Sequence, residues 1–469
     1  MTDDDLHFDG VTTAITDYAV GLDPASISDS SRHAMVSRFV EAIGCALAAT
    51  DAGPCVAARS VAATAIGEPG ASVIGVTRLS TPELAAFANG CMVRYLDFND
   101  TYHTEGGGHP SDLMSAVLAA TEITGGSGGD ALTAMHIGYE VFASLADAVP
   151  MRDKGWDYGA FLGIATAAAV SRALGLDRAG TATAVSLAIT PNMPLFVTRT
   201  GELSNWKGCA SAYSAMAALF AARLAASGIS APLRPFEGKF GVWEQATGPF
   251  ELPSLGAPVS GLSAVERTSC KSYPSDFETQ IPSEIFIGLH DEGVRPADVE
   301  AINVSTYYVA WDLIGGGQGD RAEKWDPKRR ETADHSLPYI ISVALTDGQI
   351  SKASFATERV LDPALRPLME KITVSEDPEI TRRWHTHPAY DIEVRLGDST
   401  RNFRLDHPMG HYLRPFTDAE VDRKFEANAR TVLEPEATSA LLSTLWAVDE
   451  FHDLDRVMEL LRGAGASEA

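Results

Sequence analysis

The sequence has few cysteines, a shortage of basic residues and no long uninterrupted apolar run. Five cysteines are scattered over 469 residues, at positions 45, 55, 91, 209 and 270, without a CxxC pair. Such a set argues against a disulfide framework and indicates reduced, buried thiols in a cytoplasmic protein. No run of about 18 uncharged apolar residues occurs, so no membrane span is predicted. The first residues, MTDDDLHFDG, lack the basic and then apolar order of a signal peptide.

Basic residues are outnumbered by acidic ones. The chain has 37 Lys and Arg against 63 Asp and Glu, a net charge of −26. This excludes nucleic acid as a partner, because binding nucleic acid requires a cationic surface. We attribute the surplus acid mainly to solubility or a salty cytoplasm. An anionic substrate would need cations within its own pocket, since the screening length is about 8 Å at physiological salt.

Motifs for common cofactors are also missing. The sequence contains no GxxxxGK[ST], no GxGxxG between strand and helix, and no GxSxG. No cysteine triplet suggests an iron–sulfur cluster. We therefore expect no cofactor and no metal, and any chemistry must be carried by side chains.

The periodic patterns of apolar residues predict a mainly α protein with an α+β second domain. The length exceeds that of one compact core, so two domains are expected. Apolar residues recur at helical spacing, often with Ala and Gly, over 31–50, 81–97, 109–124, 125–149, 159–177 and 208–228. Alternating patterns typical of strands follow at 301–309 and 390–405, with a helical pattern at 335–351 between them. Helical patterns return at 419–431 and 437–461.

The domain prediction follows from this order. Residues 1–265 together with 406–469 are expected to form a large helical bundle domain. Residues 266–405 are expected to form a smaller α+β lid domain. Because ligand sites tend to lie in clefts between domains, the site is expected at this junction.

Titratable residues concentrate in one segment, VRYLDFNDTYHTEGGGHPSD (93–112). Asp97 and Thr101 share a face if the preceding helix continues by one turn. His109 follows three glycines and precedes the next helix, whose free N–H groups favour an anion. A carboxylate, a hydroxyl and an imidazole suit proton transfer beside a bound ligand. The alternative is that Asp97 and Asp100 merely cap a turn and that the glycines connect a hairpin.

Further candidates lie far along the chain. Lys207 (LSNWKGCAS) and Lys271 (SCKSYPSDF) would neutralise substrate carboxylates if both faced one cleft, and would otherwise extend to water. His335 and Tyr339, four apart in DHSLPY, could present a donor pair to that cleft, or could be a core histidine and a packed tyrosine. HTH at 385–387 could chelate a metal, but surface histidines are the favoured interpretation.

Taken together, these segments resemble the MmgE/PrpD family, whose members include 2-methylcitrate dehydratases, cis-aconitate decarboxylases and an iminodisuccinate epimerase. The resemblance rests on RYLDFNDT with GHPSD, WKG, KSYPSDFETQ, ADHSLPY and HPMGH, which occur in the family's order between residues 94 and 411. RYLDFNDT, GHPSD and YPSDFETQ are most similar to the 2-methylcitrate dehydratase branch. The resemblance implies a large helical domain with an α+β lid, a homodimer and metal-free catalysis.

The resemblance also implies the site residues. Catalytic roles are expected for Asp97, His109, Lys207, Lys271 and Tyr339. Substrate contacts are expected from Arg94, Thr101, Asp157 and His335. Asp157 stands where the decarboxylase branch has a histidine, which favours dehydration. Glu278 stands where dehydratases tend to have a histidine, which places an anion near Lys271.

The expected function is a cofactor-independent lyase that removes water from a small polycarboxylate such as 2-methylcitrate, as in propionate catabolism. Asp97 or His109 would take the carbon-bound proton, and the other of the two, or Tyr339, would protonate the leaving hydroxyl. Lys207, Lys271 and His109 would offset the substrate's charge. The alternatives are a cis-aconitate-type decarboxylase, an epimerase of an iminodisuccinate-like acid and a non-catalytic binding protein.

Overall fold

The computed structural model describes residues 7–384, 386–397 and 399–464, so the predicted HTH segment and the turn after Gly397 each include one residue outside the described ones. The first α-helices are α1 (Gly10–Gly21), α2 (Asp29–Ala48), α3 (Gly53–Ala63), α4 (Pro82–Arg94), α5 (Met114–Thr124), α6 (Gly128–Ala148), α7 (Gly159–Ala173), α8 (Arg178–Ile189) and α9 (Ala210–Ala226). A two-stranded hairpin, β1 (Ala71–Val73) and β2 (Val76–Ser80), lies between α3 and α4.

The second half of the chain contains a four-stranded sheet. Its strands are β3 (Ala301–Thr306), β4 (Ile372–Glu376), β5 (Tyr390–Leu396) and β6 (Ser399–Leu405). The helices around it are α10 (Gln280–Asp291), α11 (Tyr308–Ile314), α12 (Arg321–Trp325), α13 (Arg330–Ala333), α14 (Leu337–Asp347), α15 (Thr357–Val360), α16 (Arg366–Met369) and α17 (Pro378–Thr381). Three helices close the chain, α18 (Asp418–Ala429), α19 (Pro435–Trp446) and α20 (Asp455–Gly463). The predicted class, mainly α with an α+β part, is confirmed.

The sheet has the order β4-β3-β5-β6. Strands β3 and β4 pair in parallel, whereas β3 with β5 and β5 with β6 are antiparallel. Ile392 and Val394 of β5 are buried and alternate with less buried residues, as the period of two in the sequence predicts. The hairpin predicted over 390–405 is thus β5 and β6.

Buried apolar side chains form two separate clusters. The helical core draws its buried members from residues 11–265 and 421–464, and the α+β core draws them from residues 281–394. Small residues let the helices of the helical core approach closely. If Gly90 of α4 carried a Cβ, that atom would lie only 2.8 Å from the Cβ of Ala212 in α9, too close for two carbon atoms. These two clusters support our proposal of two domains, and the limits at 265/266 and 405/406 remain a prediction.

The end of α4 differs from the prediction and matters for the site. The helix stops at Arg94, and Asp97 has a φ of 54°, in the left-handed region that ends helices. Thr101 then pairs with Ser269 through two backbone hydrogen bonds of 2.8 Å. The prediction that Asp97 and Thr101 share a helix face is therefore wrong. Backbone pairing, rather than a continued helix, positions the two residues.

One residue from the C-terminal helices ties this region together. The Nζ of Lys424, in α18, donates to the carbonyl oxygens of Phe98 at 2.7 Å and Lys271 at 2.8 Å. These carbonyls belong to the two segments that carry Asp97 and Lys271. Hence the end of the chain helps to hold two segments that are distant in sequence.

The described residues include no single helix of sufficient length and apolarity to cross a membrane. Helices α2 and α3 meet that requirement only as a pair, and they are bent by 95° at their junction. Most of α2 is buried in the helical core.

Candidate active site

Asp97 lies at the centre of a buried ionic cluster. Its side chain is 1% exposed, Arg94 Nη1 lies 2.8 Å from Oδ1, and Lys207 Nζ lies 3.0 Å from Oδ2. Lys271 Nζ contacts Oδ1 and also donates to the Asp97 carbonyl oxygen at 2.9 Å. Burial alone would raise the pKa of Asp97, but Arg94, Lys271 and Lys207 together hold it well below its ordinary value. Asp97 is therefore a permanent carboxylate and a very weak base.

Lys207 connects Asp97 to a second carboxylate and an imidazole. Its Nζ donates to Asp334 Oδ1 at 2.8 Å and lies 3.1 Å from His335 Nδ1. Asp97, Asp334 and His335 are close enough together to surround a metal ion. The ammonium of Lys207 lies within 3.1 Å of all three, so it supplies the positive charge that an ion would bring.

His109 is a neutral imidazole in this setting. Its Nδ1 donates to the Asp100 carbonyl oxygen at 2.6 Å, which leaves the lone pair on Nε2. Burial, together with Arg94 and Lys271, lowers the pKa of His109 well below its ordinary value of 6.5. This lowered pKa argues against the prediction that His109 is a third cation. Its Nε2 lies 3.9 Å from Asp97 Oδ1.

A cavity of about 120 Å³ lies against this cluster. Arg94, Thr101, His109 and His335, four of the residues expected from the sequence, line it. Other polar residues of its wall come from separate segments: His103, Arg152, Tyr158, Arg199, Asp276 and Glu278. Val309 and Leu313 come from the α+β part, so the cavity lies between the two buried clusters.

The two predicted lysines are placed differently from the expectation. Lys207 and Lys271 are 3% and 0% exposed, and neither lines the cavity. Burial lowers the pKa of Lys271, an effect that Asp97 opposes. The lysines pair with Asp97 and Asp334 rather than facing the cleft as free cations, and Asp97 does not line the cavity either.

Tyr339 is not brought to the site. Its ring is fully buried in the α+β core, and its hydroxyl donates to the Ser354 carbonyl oxygen at 2.5 Å. Helix α14 begins at Leu337, so His335 precedes the helix and the four-residue spacing does not put the pair on one face. The predicted donor pair does not form, and a catalytic role for Tyr339 has no support in this geometry.

Asp157 acts on the cavity through a residue that the sequence did not reveal. Its carboxylate is buried and accepts from Arg199 Nε at 2.5 Å and from Arg199 Nη2 at 3.3 Å. Arg199 lines the cavity with its guanidinium 4.6 Å from the centre of the Tyr158 ring. Asp157 does not line the cavity. It positions Arg199 rather than contacting a ligand, and no motif marked Arg199 in the sequence.

Removing this positioning contact gives a testable result. Asp157→Asn is expected to raise KM about tenfold, equivalent to about 1.4 kcal/mol, with a smaller change in kcat, because Arg199 loses its fixed orientation for substrate binding. Steady-state kinetics measures this, with Asp153→Asn, an exposed neighbour, as the control. Unchanged KM in the Asp157 variant would contradict the positioning role.

One further acid at the cavity, Asp276, belongs to a motif that the sequence did show. Asp276, in YPSDF, has Oδ2 3.1 Å from His335 Nε2, and its Oδ1 accepts from the Glu278 backbone N–H at 3.0 Å. Burial would raise the pKa of Asp276, but His335 and Lys271 lower it below its ordinary value. Asp276 therefore stays ionised, and its carboxylate orients His335.

The three glycines of the 93–112 segment permit close packing. Tyr102 and Gly108 exchange two backbone hydrogen bonds, so the glycines do connect a hairpin. A Cβ on Gly108 would lie 2.5 Å from the Tyr158 ring, and one on Gly106 would lie 2.6 Å from the Val149 carbonyl oxygen. The hairpin interpretation is thus confirmed, and the functional interpretation stays a prediction, although this connector forms part of the cavity wall.

Two imidazoles and two guanidinium groups, those of His109, His335, Arg94 and Arg199, line one cavity, and the buried cluster around Asp97 lies beside it. Such a site is suited to proton transfer by side chains. Two family models match the chain, the MmgE/PrpD N-terminal domain over residues 13–254 and the MmgE/PrpD C-terminal domain over residues 273–448. The chain belongs to the MmgE/PrpD family.

Curated relatives agree with this assignment. The chain is 26% identical to a 2-methylcitrate dehydratase of Cupriavidus necator, with 93% of each chain covered. It is 26% identical to the 2-methylcitrate dehydratase of Escherichia coli K12, with 87% of each covered. It is 27% identical to the cis-aconitate decarboxylase of Mus musculus, covering 82% of this chain and 80% of the relative. Both named activities are lyase reactions, which supports a lyase-type enzyme.

Proposed function

We propose that this chain is a hydro-lyase that removes water from a small polycarboxylate such as 2-methylcitrate, using side chains without a metal or cofactor. The observation that carries the proposal is the position of His109, which lines the cavity beside Asp97 with its Nδ1–H held by the Asp100 carbonyl oxygen. His109 offers a lone pair on Nε2 at the cavity, whereas Asp97 is held by three cations and cannot accept a proton easily. Of the two bases considered from the sequence, His109 is the one that the geometry favours.

The mechanism follows from the charges around the cavity. Arg94 and Arg199 line it and would bind substrate carboxylates, for which planar guanidinium groups are well suited. His109 would remove the proton from the carbon next to a carboxylate. Charge that develops on that carboxylate would be stabilised by fixed cations, the contribution that is usually largest in catalysis. The electron pair then forms the double bond as the hydroxyl leaves.

Decarboxylation of cis-aconitate is the second candidate. It is favoured by the relatives of that name, which are as similar to this chain as the dehydratases are. Asp157 argues against decarboxylation. By the sequence resemblance it stands where the decarboxylase branch has a histidine, and in this structure it binds Arg199. Dehydration therefore remains the first proposal.

Incubation with 2-methylcitrate, citrate and cis-aconitate distinguishes the candidates. Ultraviolet absorbance reports a new conjugated double bond, and trapped carbon dioxide reports decarboxylation. We expect double-bond formation from 2-methylcitrate without carbon dioxide release. Carbon dioxide from cis-aconitate would establish the second candidate instead. Deuterium entering recovered substrate without water loss would indicate an epimerase.

The pH dependence provides an independent check. A base works only above its pKa, and the pKa of His109 is lowered well below 6.5. We expect kcat/KM, which reports the free enzyme, to stay constant as the pH falls to 6.5 and to decline only at lower pH. The ionisation of the substrate is measured separately and divided out. A midpoint at or above pH 6.5 would contradict a neutral His109.

We also propose a homodimer in the cytoplasm that serves propionate catabolism. Support for a dimer comes from α9, where Tyr213 and Phe220, seven residues apart on one face, are 46% and 52% exposed. Light scattering should give twice the mass of the chain, and Phe220→Arg should shift the protein towards monomer, because a charge opposes burial of this face. Ile66→Arg, on another exposed apolar residue, is the control. A wild-type protein that is monomeric would remove the dimer proposal.

A further inference from the structure

Dehydration needs an acid for the leaving hydroxyl, and the two groups considered from the sequence cannot supply it. Asp97 is held ionised by its three cations. Tyr339 lies in the α+β core and donates its proton to Ser354. Two tyrosines line the cavity, and both hydroxyls are already engaged: that of Tyr158 donates to Asp112 Oδ2 and that of Tyr102 donates to Asp147 Oδ2, each at 2.8 Å. A proton donor must therefore come from another residue that lines the cavity.

His103 is such a residue, and it is paired with Glu278. His103 Nε2 lies 3.1 Å from Glu278 Oε1, and both residues line the cavity. Glu278 Oε2 accepts from the Tyr307 hydroxyl, and the Glu278 carbonyl oxygen accepts from the Tyr390 hydroxyl at 2.5 Å. Glu278 is thus fixed at both its carboxylate and its backbone.

The other nitrogen of His103 has no partner among the described residues. The side chain is 8% exposed, and Nδ1 is buried without a hydrogen bond. The ring is held by aromatic neighbours, with the centres of Phe277 and Trp384 at 4.8 Å and 5.0 Å. Buried polar atoms normally have partners, so the unpaired nitrogen of a residue that lines the cavity points to a partner that a bound ligand supplies. By contrast, both nitrogens of His335 have protein partners.

We infer that His103 is the catalytic acid that protonates the leaving hydroxyl, and that Glu278 is its positioning residue. The grounds are that Nδ1 of His103 is unpaired and that Glu278 holds Nε2 of the same ring. This inference rests on the proposed dehydratase function. His109 Nε2 takes the carbon-bound proton, and the C–H electron pair forms the carbon–carbon double bond. The C–O bond breaks, and its oxygen takes the Nδ1 proton of the imidazolium of His103 and leaves as water. Glu278 stays a carboxylate, and proton exchange with solvent returns His103 to its imidazolium and His109 to its neutral imidazole.

A change of leaving group tests this role. The substrates are 2-methylcitrate and its analogue in which fluorine replaces the leaving hydroxyl, because fluoride departs as an anion without needing a proton. His103→Gln is expected to lower turnover of 2-methylcitrate about 10²–10⁴-fold, and turnover of the fluoro analogue less than about tenfold. His109→Gln is expected to lower both, since both reactions need the base.

Matched variants separate chemistry from folding. His452→Gln, on an exposed histidine in another part of the chain, is the control for replacing an imidazole by an amide. Glu278→Gln keeps the size of the positioning residue and is expected to show a smaller loss with the same dependence on the leaving group. This second variant tests the inference even if His103→Gln fails to fold.

The outcomes distinguish this inference from the proposed function. Normal turnover of 2-methylcitrate by His103→Gln, or equal losses on both substrates, would overturn the role of His103 and leave the dehydratase proposal intact. A wild-type protein that eliminates neither water nor fluoride would overturn the proposed function, and the role of His103 with it.

Discussion

Replacing His109 by Gln is expected to lower turnover about 10²–10⁴-fold, because the variant lacks the base for the carbon-bound proton. Glutamine has a similar reach and can still donate to the Asp100 carbonyl oxygen, which His109 Nδ1 contacts at 2.6 Å. The fold should therefore survive, as circular dichroism and the melting temperature would show. Rate constants with saturating 2-methylcitrate provide the measurement.

His136→Gln is the matched control for this loss. His136 is also a buried imidazole, and burial lowers its pKa to about 4, but it lies in α6 and does not line the cavity. Near-normal turnover is expected for this variant. If His109→Gln retained turnover within about threefold of His136→Gln, His109 could not be the base, since one positioned base contributes about a hundredfold or more.

Asp97→Asn is expected to lower the free energy of unfolding by about 3–5 kcal/mol, because it leaves buried cations without their counter-charge. Arg94, Lys207 and Lys271 all lie within 3.0 Å of its carboxylate oxygens. Asparagine adopts left-handed backbone readily, so the φ of 54° is not the cause of the loss. Chemical denaturation measures the effect, and turnover should fall as well.

A second substitution tests this explanation. Lys271→Met in the Asp97→Asn background removes one of the unpaired charges, and it should recover part of the lost stability. Asp51→Asn, which breaks the surface ion pair with Lys352, should cost less than about 1 kcal/mol. Wild-type stability in Asp97→Asn would show that the cluster is not held by this carboxylate.

The fold could be predicted from the sequence to the extent that it depends on local periodicity. Helices such as α7 and α9 have apolar, alanine-rich sequences, and β5 and β6 alternate around a turn, so their patterns were readable. The end of α4 was not, because Asp97 has a left-handed backbone conformation and its side chain pairs with Lys207 and Lys271, which lie far away in the chain. Periodicity carries no information about such long-range contacts.

The site was only partly predictable for the same reason. The sequence indicated Asp97, His109, Lys207 and Lys271 as candidates. The structure places side-chain nitrogens of the other three within 4 Å of the Asp97 carboxylate. The sequence could not reveal that both lysines are buried and do not line the cavity. Nor could it reveal that the Tyr339 side chain packs in the α+β core. Side-chain direction depends on packing that spacing alone does not specify.

Acids and cations outside the expected set carry much of the electrostatics. Asp276 and Asp334 lie within quoted motifs, YPSDF and ADHSLPY, and their role in holding His335 and Lys207 could have been suspected there. Arg199 has no such signal, since its partner Asp157 is 42 residues away and its neighbours form no motif. Only the folded chain brings Arg199 to the cavity.

The account depends most on the state of one imidazole, and nitrogen NMR of histidine-labelled protein reads that state directly. His109 is assigned by comparison with His109→Gln. At neutral pH we predict a neutral ring with the proton on Nδ1 and the lone pair on Nε2, and a titration midpoint below 6.5. A ring that is charged at neutral pH, or one that carries its proton on Nε2, would contradict the account.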